Sequence, residues 1–551
     1  MRTLKYLSLF LGLISSAILP VTGQGAAARE PLTVAEASQY KATSRYSDIM
    51  AFIKKLEQQS RYIRVETLCT SAEGKAVPLI VLGNPLPAAP EALRREKRGV
   101  IYIQANIHAG EVEGKEASLM LARDILLAEK PLYLDRLIIL IAPIFNADGN
   151  DKIRPENRPH QPGPEQGVGV RHNGQNLDLN RDSIKLESPE LRGLVKNVLL
   201  RWDPLLLVDC HTTNGAYHQE VVTYSWGLNP NGDSAIIEYQ RDKMMPEIEA
   251  SLENKYGTPA LGYGGFRDYR TPENGWATFE PQPRYVTNYI GLRNRLSILD
   301  ENYVYADFKT RIMGNYNFLR AVLDYCHAHL DEIAALVSMA DKKTILKGSK
   351  PSAQDVFSVE FEARPLKNPI TIHACEVEII EQAPGQRPRV RPTDRVKIYT
   401  LPYFSDYVGT RSVRFPHAYI IDTPDPDIIA KLLQHGLVVE KLKAAATLEV
   451  ETFKLREFKS MERPFQGHHL NQVKGVYVKE IKEFAAGTYM VPAGQPLGNL
   501  AASLLEPESD DGLIVWNFFD RYLVPQWSRE LGIYPVYRLL EPASLVREAV
   551  K

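Results

Sequence analysis

Four apolar runs in the first 210 residues constrain the fold of this chain more than any other feature. Their sequences are VPLIVLG (77–83), GVIYIQANI (99–107), LIILIAPIF (137–145) and LLLVDC (205–210). Continuous runs of this kind are typical of strands in a sheet that is covered on both faces. Helical patterns at 46–59, 116–128 and 188–202 alternate with them, and RLSILDE (295–301) predicts another strand. We therefore expect an α/β domain with a mixed, largely parallel sheet flanked by helices.

The hydrophobic pattern of the sequence changes after about residue 345. Short stretches such as FSVEFEAR, VKIYTLPY and KGVYVKEI alternate apolar with polar residues and are separated by turn residues and prolines. Alternation with a period of two predicts strands. A chain of 551 residues is also too long for one ordinary core. We expect a β-rich C-terminal domain at 346–551, with a helix near 424–436 and no role that the sequence assigns.

The N-terminus has the pattern of a secretory signal peptide. Arg2 and Lys5 precede an apolar run at 6–19, and Pro20 and small residues follow it. The run is shorter than the roughly 20 residues that span a bilayer. We expect a signal peptide at 1–23 and export to the periplasm or the medium, the alternative being an uncleaved anchor. Past this segment, the sequence has no other apolar stretch long enough for a membrane helix.

Charge and cysteine content exclude some partners and leave one question open. A formal net charge of −1, with Lys and Arg scattered along the chain, gives no sign of a nucleic-acid partner. The four cysteines, at 69, 210, 326 and 375, are widely spaced. In an exported protein they could form one disulfide, but spacing does not predict its connectivity.

Polar residues stand where three predicted strands end. NIHAGEVEG (106–114) contributes His108 and Glu111, VDCHTTNG (208–215) contributes His211, and LSILDENY (296–303) contributes Glu301. Ligands of α/β sheets collect at the carboxyl ends of strands. Two imidazoles and one carboxylate are the ligands of a catalytic zinc that keeps a fourth position open. The alternatives are a chance HxxE pair and a histidine that merely packs at the end of a buried strand.

The segment RHNGQNLDLNRD (171–182) concentrates cationic and amide groups. Arg171, Asn180 and Arg181 are candidates to bind a carboxylate and to stabilise an oxyanion. Arginine suits both tasks because its planar fork bonds a carboxylate bidentately and keeps its charge. The alternative is a solvated loop with surface ion pairs, in which Asp182 would pair with Arg181.

Together these segments resemble the zinc carboxypeptidases of the M14 metallopeptidase family, the carboxypeptidase A type. The resemblance covers roughly 40–342, and we expect the catalytic domain there. It implies one Zn²⁺ held by His108, Glu111 and His211, with Asp178 bonded to the first histidine. Arg171 would then polarise the scissile carbonyl, Asn180 and Arg181 would hold the terminal carboxylate, and Glu301 would be the general base. The implied substrate is a peptide with a free C-terminus.

The sequence departs from the family pattern at several positions. Gly110 stands where animal members commonly have an arginine, so we expect one substrate contact to be absent. The mobile tyrosine of the family is expected at Tyr289, which would bind substrate, with Tyr285 as the second candidate. Arg293 is an extra cation near Glu301, and so is Arg295; structural ion pairs are preferred over an anionic subsite for both.

Three hypotheses about function remain at this point. The preferred one is an exported zinc metallocarboxypeptidase. The second is a related zinc amide hydrolase that acts on cell-wall peptides or N-acyl amino acids, because pockets rather than folds select substrates. The third is a non-catalytic binding protein on the same scaffold. His468 and His469, adjacent in the second domain, are expected to be surface residues rather than a second metal site.

Overall fold

The computed structural model describes residues 30–90, 97–213, 215–382, 389–527 and 531–550. The signal peptide expected at residues 1–23 lies outside the described residues. Among the helices of the described ranges, none is both long enough and apolar enough to cross a membrane.

An eight-stranded sheet lies at the centre of the N-terminal part. The strands of this part, in chain order, are β1 (Ile63–Thr70), β2 (Ala76–Leu82), β3 (Gly99–Ala105), β4 (Leu137–Ala142), β5 (Leu206–Thr213), β6 (Val222–Trp226), β7 (Ala260–Gly262), β8 (Gly265–Phe266), β9 (Trp276–Ala277) and β10 (Leu296–Tyr303). The order across the sheet is β1-β2-β4-β3-β5-β10-β6-β7, and the short β8 and β9 belong to another sheet. The central strands β4, β3, β5 and β10 are mutually parallel. The predicted α/β fold with a mixed, largely parallel sheet is confirmed.

Helices cover this sheet, and their bounds follow the sequence patterns closely. The α-helices are Val34–Ala37, Tyr46–Gln59, Glu113–Leu127, Ala147–Asn150, Pro189–Gly193, Ser234–Tyr239, Met245–Tyr256, Val286–Leu292, Phe308–Ala328, Leu330–Ser349, Pro426–Gln434, Gly498–Leu505 and Asp520–Leu523. Short 3₁₀ turns occur at Pro155–Asn157, Leu179–Arg181 and Pro272–Asn274, and π-helical turns at Leu194–Leu199 and Gln240–Met244. Every residue of β3, β4 and β5 is buried, as expected for strands covered on both faces.

One predicted helix is shorter than expected. The pattern at 188–202 gives an α-helix only over Pro189–Gly193, after which a π-helical turn continues to Leu199. Its predicted N-cap is present, because the Ser188 hydroxyl accepts a hydrogen bond from the Leu191 amide at 3.2 Å.

The C-terminal part is β-rich, as predicted. Its strands are β11 (Val356–Pro365), β12 (Ile370–Ile380), β13 (Arg389–Leu401), β14 (Tyr403–Arg414), β15 (Ala418–Ile421), β16 (Glu440–Leu442), β17 (Ala446–Ser460), β18 (Asn471–Phe484), β19 (Tyr489–Pro492), β20 (Val536–Leu539) and β21 (Arg547–Ala549). Seven of them form one sheet in the order β18-β17-β20-β15-β19-β16-β21, and β12 pairs with β13.

A small sheet in the order β11-β14-β9-β8 contains strands from both parts of the chain. In it, Tyr403 and Phe404 of β14 pair in parallel with Trp276 and Ala277 of β9. The proposed division into 40–342 and 346–551 is therefore bridged by shared backbone hydrogen bonds.

The four cysteines are free thiols. Cys210 and Cys326 are buried, whereas Cys69 and Cys375 are partly exposed. The disulfide that the sequence left open is therefore not formed in this structure.

A close approach at Gly114 fits the first turn of the helix Glu113–Leu127 against β5. A Cβ at this position would lie 2.5 Å from the Cβ of Cys210 and 3.2 Å from the Cβ of Ala105. Overpacking of this kind costs about 1–3 kcal/mol. We expect Gly114→Ala to lower the thermal unfolding midpoint. Gly265→Ala is the matched control, because its Cβ would meet nothing within 4 Å. Equal midpoints for the two variants would contradict this packing.

Candidate active site

His108 and Glu111 lie in a turn that follows β3, and Asn106 shapes this turn. Asn106 has a left-handed backbone conformation, with φ of 64°, which asparagine adopts more readily than most residues. Its side-chain amide donates to the carbonyl oxygens of Ala109 at 3.2 Å and Glu111 at 3.1 Å. The Glu111 amide also bonds the His108 carbonyl at 2.9 Å. The turn therefore holds both side chains on one side of the chain.

The third member of the set comes from the neighbouring strand. In the parallel pair β5–β10, His211 lies directly opposite Glu301. Nδ1 of His211 lies 2.9 Å from Oε2 of Glu111 and 3.2 Å from Nδ1 of His108. Nδ1 of His108 lies 3.1 Å from Oε1 of Glu111. The structure thus brings the three predicted ligands together.

This donor set fits a divalent cation. One ligand atom from each of His108, Glu111 and His211 lies within 4.8 Å of the others, and all three side chains are buried. Two imidazole nitrogens and a carboxylate match the ligand set of catalytic zinc sites with an open fourth position. Within the described ranges, no other cluster of His, Cys, Asp and Glu meets the same spacing.

Each histidine is held from behind by a carboxylate. Nε2 of His108 lies 3.0 Å from Oδ1 of Asp178, the partner that the family resemblance implies. Nε2 of His211 lies 2.9 Å from Oδ2 of Asp209. The hydrogen bond to Asp178 fixes the tautomer of His108 and leaves its Nδ1 for a metal, while the Asp209 contact is an ion pair on the corresponding side of His211. Although burial opposes ionisation, His108 and then Arg171 hold the pKa of Asp178 well below its usual range.

Asp209 was missed by the sequence reasoning, although a signal was present. It precedes His211 by two residues on β5, and residues two apart on a strand share a face. Its other oxygen accepts a hydrogen bond from Gln104 of the adjacent β3 at 3.1 Å. The Asp209 carboxylate thus lies on β5 and is also held by a side chain of β3, independently of its contact with the imidazole.

Arg158 is a second residue that the sequence reasoning missed. Its guanidinium donates to Oε1 of Glu111 and to the carbonyl of Thr212, each at 2.8 Å. The missing side chain of Gly110 makes room for it, since a Cβ there would lie 2.8 Å from Cδ of Arg158. The expectation that one substrate contact is absent at Gly110 did not take this arginine into account. A guanidinium from a distant loop occupies the adjoining space.

Arg171 lies at the mouth of the site and is oriented by Asp178. Its Nε donates to Oδ2 of Asp178 at 2.9 Å, and its Nη1 lies 3.7 Å from Oε1 of Glu111. The side chain is 39% exposed. One carboxylate thus positions both a predicted metal ligand and the predicted oxyanion donor.

Asn180 and Arg181 form a corner of the cavity, which we call the carboxylate corner. Oδ1 of Asn180, a residue of the cavity lining, accepts a hydrogen bond from the Val286 amide at 2.9 Å, so Nδ2 is the donor end of this side chain. The Arg181 guanidinium lies 4.4 Å from the ring centroid of Tyr285. Asp182 bonds Lys185 at 2.7 Å and the Ser188 hydroxyl at 2.7 Å. The alternative in which Asp182 neutralises Arg181 is therefore not what the structure contains.

The structure corrects the expectation for Tyr289. Its ring is buried, and its hydroxyl bonds Nδ1 of His435 at 2.8 Å and accepts from Arg293 at 3.2 Å. The second candidate, Tyr285, lines the cavity instead. The sequence reasoning placed Tyr289 wrongly because it could not foresee that a C-terminal residue occupies its hydroxyl.

The two extra arginines have structural partners. Arg295 pairs with Asp203 at 2.8 Å and Asp341 at 2.9 Å. Arg293 donates to the His435 carbonyl at 2.9 Å. Arg295 thus forms the expected ion pairs, whereas the partners of Arg293 are neutral oxygen atoms.

Glu301 and Asp300 have opposite environments although they are adjacent. Asp300 accepts a hydrogen bond from Asn315 of the helix Phe308–Ala328 at 2.7 Å, on the other face of the sheet. Glu301 faces the cavity, and its Oε2 is buried without a partner among the described residues. Burial raises the pKa of Glu301 to about 8; the charge of His211 lowers it and that of Glu111 raises it. A divalent cation nearby would lower this pKa again.

The predicted metal ligands, the three cationic side chains and Glu301 line one cavity of about 300 Å³. Its remaining wall is uncharged. The complete lining is His108, Glu111, Arg158, Arg171, Asn180, Arg181, His211, Thr212, Thr213, Tyr263, Phe279, Tyr285, Thr287, Leu299 and Glu301. A metal-ligand set, a buried carboxylate with an unpartnered oxygen and a cationic corner around one cavity can perform metal-assisted hydrolysis of a substrate that carries an anion.

Known proteins with similar sequences support this chemistry. Residues 49–190 match the zinc carboxypeptidase model of peptidase family M14. The chain is 21% identical to carboxypeptidase 2 of Trichophyton equinum over 490 residues, which cover 85% of this chain and 81% of that relative. It is 22% identical to carboxypeptidase 2 of Trichophyton rubrum over 510 residues, with coverages of 87% and 86%. Both alignments are longer than residues 40–342, so the similarity includes much of the β-rich part.

Among solved structures, a metallo-carboxypeptidase from Burkholderia cenocepacia aligns at 17% identity with a TM-score of 0.39. The alignment covers 52% of this chain and 70% of that chain. The likeness to this family therefore rests on the family model over residues 49–190 and on the two sequence relatives.

The carboxylates behind the histidines generate a prediction about metal binding. Loss of such a partner typically lowers metal affinity by about 10–100-fold. We expect Asp178→Asn and Asp209→Asn each to weaken zinc binding in this range, measured by competition with a chromophoric chelator. Asp300→Asn is the control, since Asp300 lies on the opposite face of β10 and should leave the affinity unchanged. Unchanged zinc affinity in both test variants would contradict the arrangement.

Proposed function

Because the chain carries an M14 zinc carboxypeptidase domain, and is thus a metallopeptidase of the carboxypeptidase type, we propose that it removes C-terminal residues from peptides with a zinc ion. One observation carries this proposal. The metal-ligand set of His108, Glu111 and His211 shares its cavity with Glu301 on one side and with Asn180 and Arg181 on another. A single substrate in this cavity could therefore contact the proposed hydrolytic groups and the carboxylate corner at the same time.

His108, Glu111 and His211 would hold the zinc ion. When bound, zinc lowers the pKa of its water towards about 7. Glu301 is the group that accepts a proton in the cavity, since its Oε2 has no other partner among the described residues. Once the water oxygen has attacked the carbonyl carbon, the same carboxyl group returns the proton to the leaving amine.

Arg171 supplies the positive charge that the developing oxyanion requires. Asp178 fixes its Nε, so the guanidinium is already oriented when charge appears on the carbonyl oxygen. Preorganised donors of this kind act mainly in the transition state.

Asn180 and Arg181 account for cleavage at the end of a peptide rather than within it. A terminal carboxylate would accept from Nδ2 of Asn180 and from the Arg181 guanidinium. Tyr285 stacks on that guanidinium and limits its freedom. The other walls are contributed by Tyr263, Phe279 and other uncharged residues, which favours an uncharged C-terminal side chain.

We also propose export, on the basis of the signal-peptide pattern at 1–23. The cellular compartment follows from processing of that segment. N-terminal sequencing of the protein recovered from the periplasm or medium tests it, and an intact Met1 in the cytoplasm would contradict it.

The general base is tested by Glu301→Gln. We expect this substitution to lower kcat by about 10²–10⁴-fold, because a positioned proton acceptor is lost. Zinc content should stay at that of the wild type, since the ligand set is intact. Asp300→Asn is the matched control in the adjacent position and should keep most of the activity. Near-normal turnover by Glu301→Gln would overturn the assignment of Glu301.

The carboxylate corner is tested with paired peptides that end in a free carboxylate or in an amide. We expect kcat/KM to be about 10²-fold or more higher for the free carboxylate, since hydrogen bonds to charged groups contribute about 1.5–3 kcal/mol each. Arg181→Ala should reduce this ratio.

Mass analysis of the products, with and without a chelator, identifies the bond cleaved and the metal requirement. Chelation should abolish the activity, and added Zn²⁺ should restore it. Cleavage of N-acyl amino acids alone would favour the related amide hydrolase, and no hydrolysis would favour a binding protein.

A further inference from the structure

The proposed carboxylate corner is built on two segments, the first largely irregular and the second a short helix with its flanking residues. The first segment, residues 178–187, carries Asn180 and Arg181 and contains only one short 3₁₀ turn. The second, residues 284–293, carries Tyr285 and the helix Val286–Leu292. Loop segments hold functional groups in place only when other elements fix them. Contacts from other parts of the chain therefore decide how firmly these two segments are held.

Residues of the β-rich part contact the first segment at both ends. Oε1 of Gln466 accepts a hydrogen bond from the Asp178 amide at 2.8 Å. At the far end, Nε2 of His468 lies 2.8 Å from Oε1 of Glu187. This partly buried contact corrects the expectation that His468 is an ordinary surface residue.

The β-rich part also contacts residues 184 and 185 of the first segment. Nζ of Lys431 donates to the Lys185 carbonyl, and Nε2 of His435 bonds the Ile184 carbonyl at 3.0 Å. The Lys185 ammonium lies 5.1 Å from the ring centroid of Trp516. The β-rich part therefore contacts this segment at residue 178 and over residues 184–187, on both sides of Asn180 and Arg181.

Asp511 holds the second segment at the residue before Tyr285. Its Oδ2 accepts from the Arg284 amide at 2.6 Å, and its Oδ1 lies 2.8 Å from Nη2 of Arg284. The Asp511 side chain is fully buried, and Trp516 donates to it at 2.9 Å. One buried carboxylate thus fixes both the backbone and the side chain of Arg284.

His435 connects the two segments to each other. Because the Ile184 carbonyl can only accept, Nε2 of His435 donates and Nδ1 accepts from the Tyr289 hydroxyl. The ring is fully buried. Tyr289, on the second segment, is thus joined through one imidazole to Ile184, on the first.

The β-rich part also contacts Phe279, another residue of the cavity wall. Phe279, which lines the cavity, follows the strand β9 that pairs with β14. The Phe279 carbonyl accepts a hydrogen bond from the Tyr407 hydroxyl at 3.0 Å. The β-rich part therefore borders the cavity on the side of the anion-binding corner.

The metal ligands are supported differently. His108, Glu111 and His211 are contacted by Asp178, Asp209, Arg158 and backbone groups of the N-terminal part. The two halves of the site thus have separate supports, except where Gln466 bonds the Asp178 backbone.

We propose that the β-rich part positions the carboxylate corner of Asn180 and Arg181, with Asp511 and His435 as the positioning residues. This inference rests on the proposed function. Misplacement of a binding group by about 1 Å can cost about 10²-fold in rate. Loss of either contact should therefore act on recognition of the substrate carboxylate, while metal binding and the proton acceptor stay intact.

The test compares Asp511→Asn with a matched control in the full-length zinc enzyme. We expect Asp511→Asn to raise KM for a peptide with a free carboxylate about tenfold, to change kcat less than about threefold, and to shrink the preference over the amidated peptide. Glu506→Gln removes another buried carboxylate of the same region, one that bonds Tyr419 and Tyr477. It should leave KM and this preference unchanged.

Hydrogen exchange provides a readout that does not depend on activity. In Asp511→Asn, amides of residues 178–187 and 284–293 should exchange faster, while those of 106–114 should keep wild-type rates. The same result is expected for His435→Gln, which decides the matter if Asp511→Asn fails to fold.

The two proposals fail in distinguishable ways. Wild-type protein that ignores the difference between free and amidated peptides overturns the proposed function, and the exchange measurement still tests the positioning. Unchanged exchange and unchanged KM in a folded variant overturn the positioning role. An equal rise of KM in Glu506→Gln would show general destabilisation and would also overturn it.

Discussion

The parallel register between β5 and β10 is the constraint on which the site depends. It sets His211 directly opposite Glu301, and β5 is paired with β3 on its other edge. A strand bonded on both sides cannot slip without turning its side chains to the wrong face. The turn after β3 then delivers His108 and Glu111 at the same end of the sheet. Backbone hydrogen bonds between neighbouring strands thereby set the positions from which these side chains reach the cavity.

Charge distribution explains why carboxylates in one small volume take different roles. The imidazole of His108 and the guanidinium of Arg158 act against burial and hold the pKa of Glu111 well below its usual range. Burial dominates at Glu301 and raises its pKa. Environments that push the pKa values of neighbouring carboxyls apart assign one to charge and the other to proton transfer. A ligand and a proton acceptor can therefore coexist in one cavity.

The fold and the triad were accessible from the sequence because their signals are local. Apolar runs predicted β3, β4 and β5, and polar residues at their ends predicted where ligands would converge. The wrong placement of Tyr289 and the omission of Arg158 have a different origin. Both depend on contacts between segments far apart in the chain, and periodicity gives no register for such contacts. Asp209 is intermediate, since its spacing from His211 was visible but its partner was not.

The family resemblance supplied roles that geometry alone could not. Spacing does not separate Asp300 from Glu301, and the structure distinguishes them by the face each occupies. The resemblance ended at the catalytic part, however, and gave the β-rich part no role. Its contacts with residues 178–187 and 284–293 became visible only through hydrogen bonds between main-chain groups and distant side chains.

The long-range contacts also order events in time. The Asp178–Gln466 hydrogen bond joins residues 288 positions apart, and the Arg284–Asp511 bond joins residues 227 positions apart. A ribosome releases Glu301 long before either C-terminal partner, and chains fold as they emerge. A nascent chain at that stage contains the predicted metal ligands and Glu301, but it lacks the C-terminal residues that contact segments 178–187 and 284–293. Full assembly of the cavity walls therefore waits until translation is nearly finished.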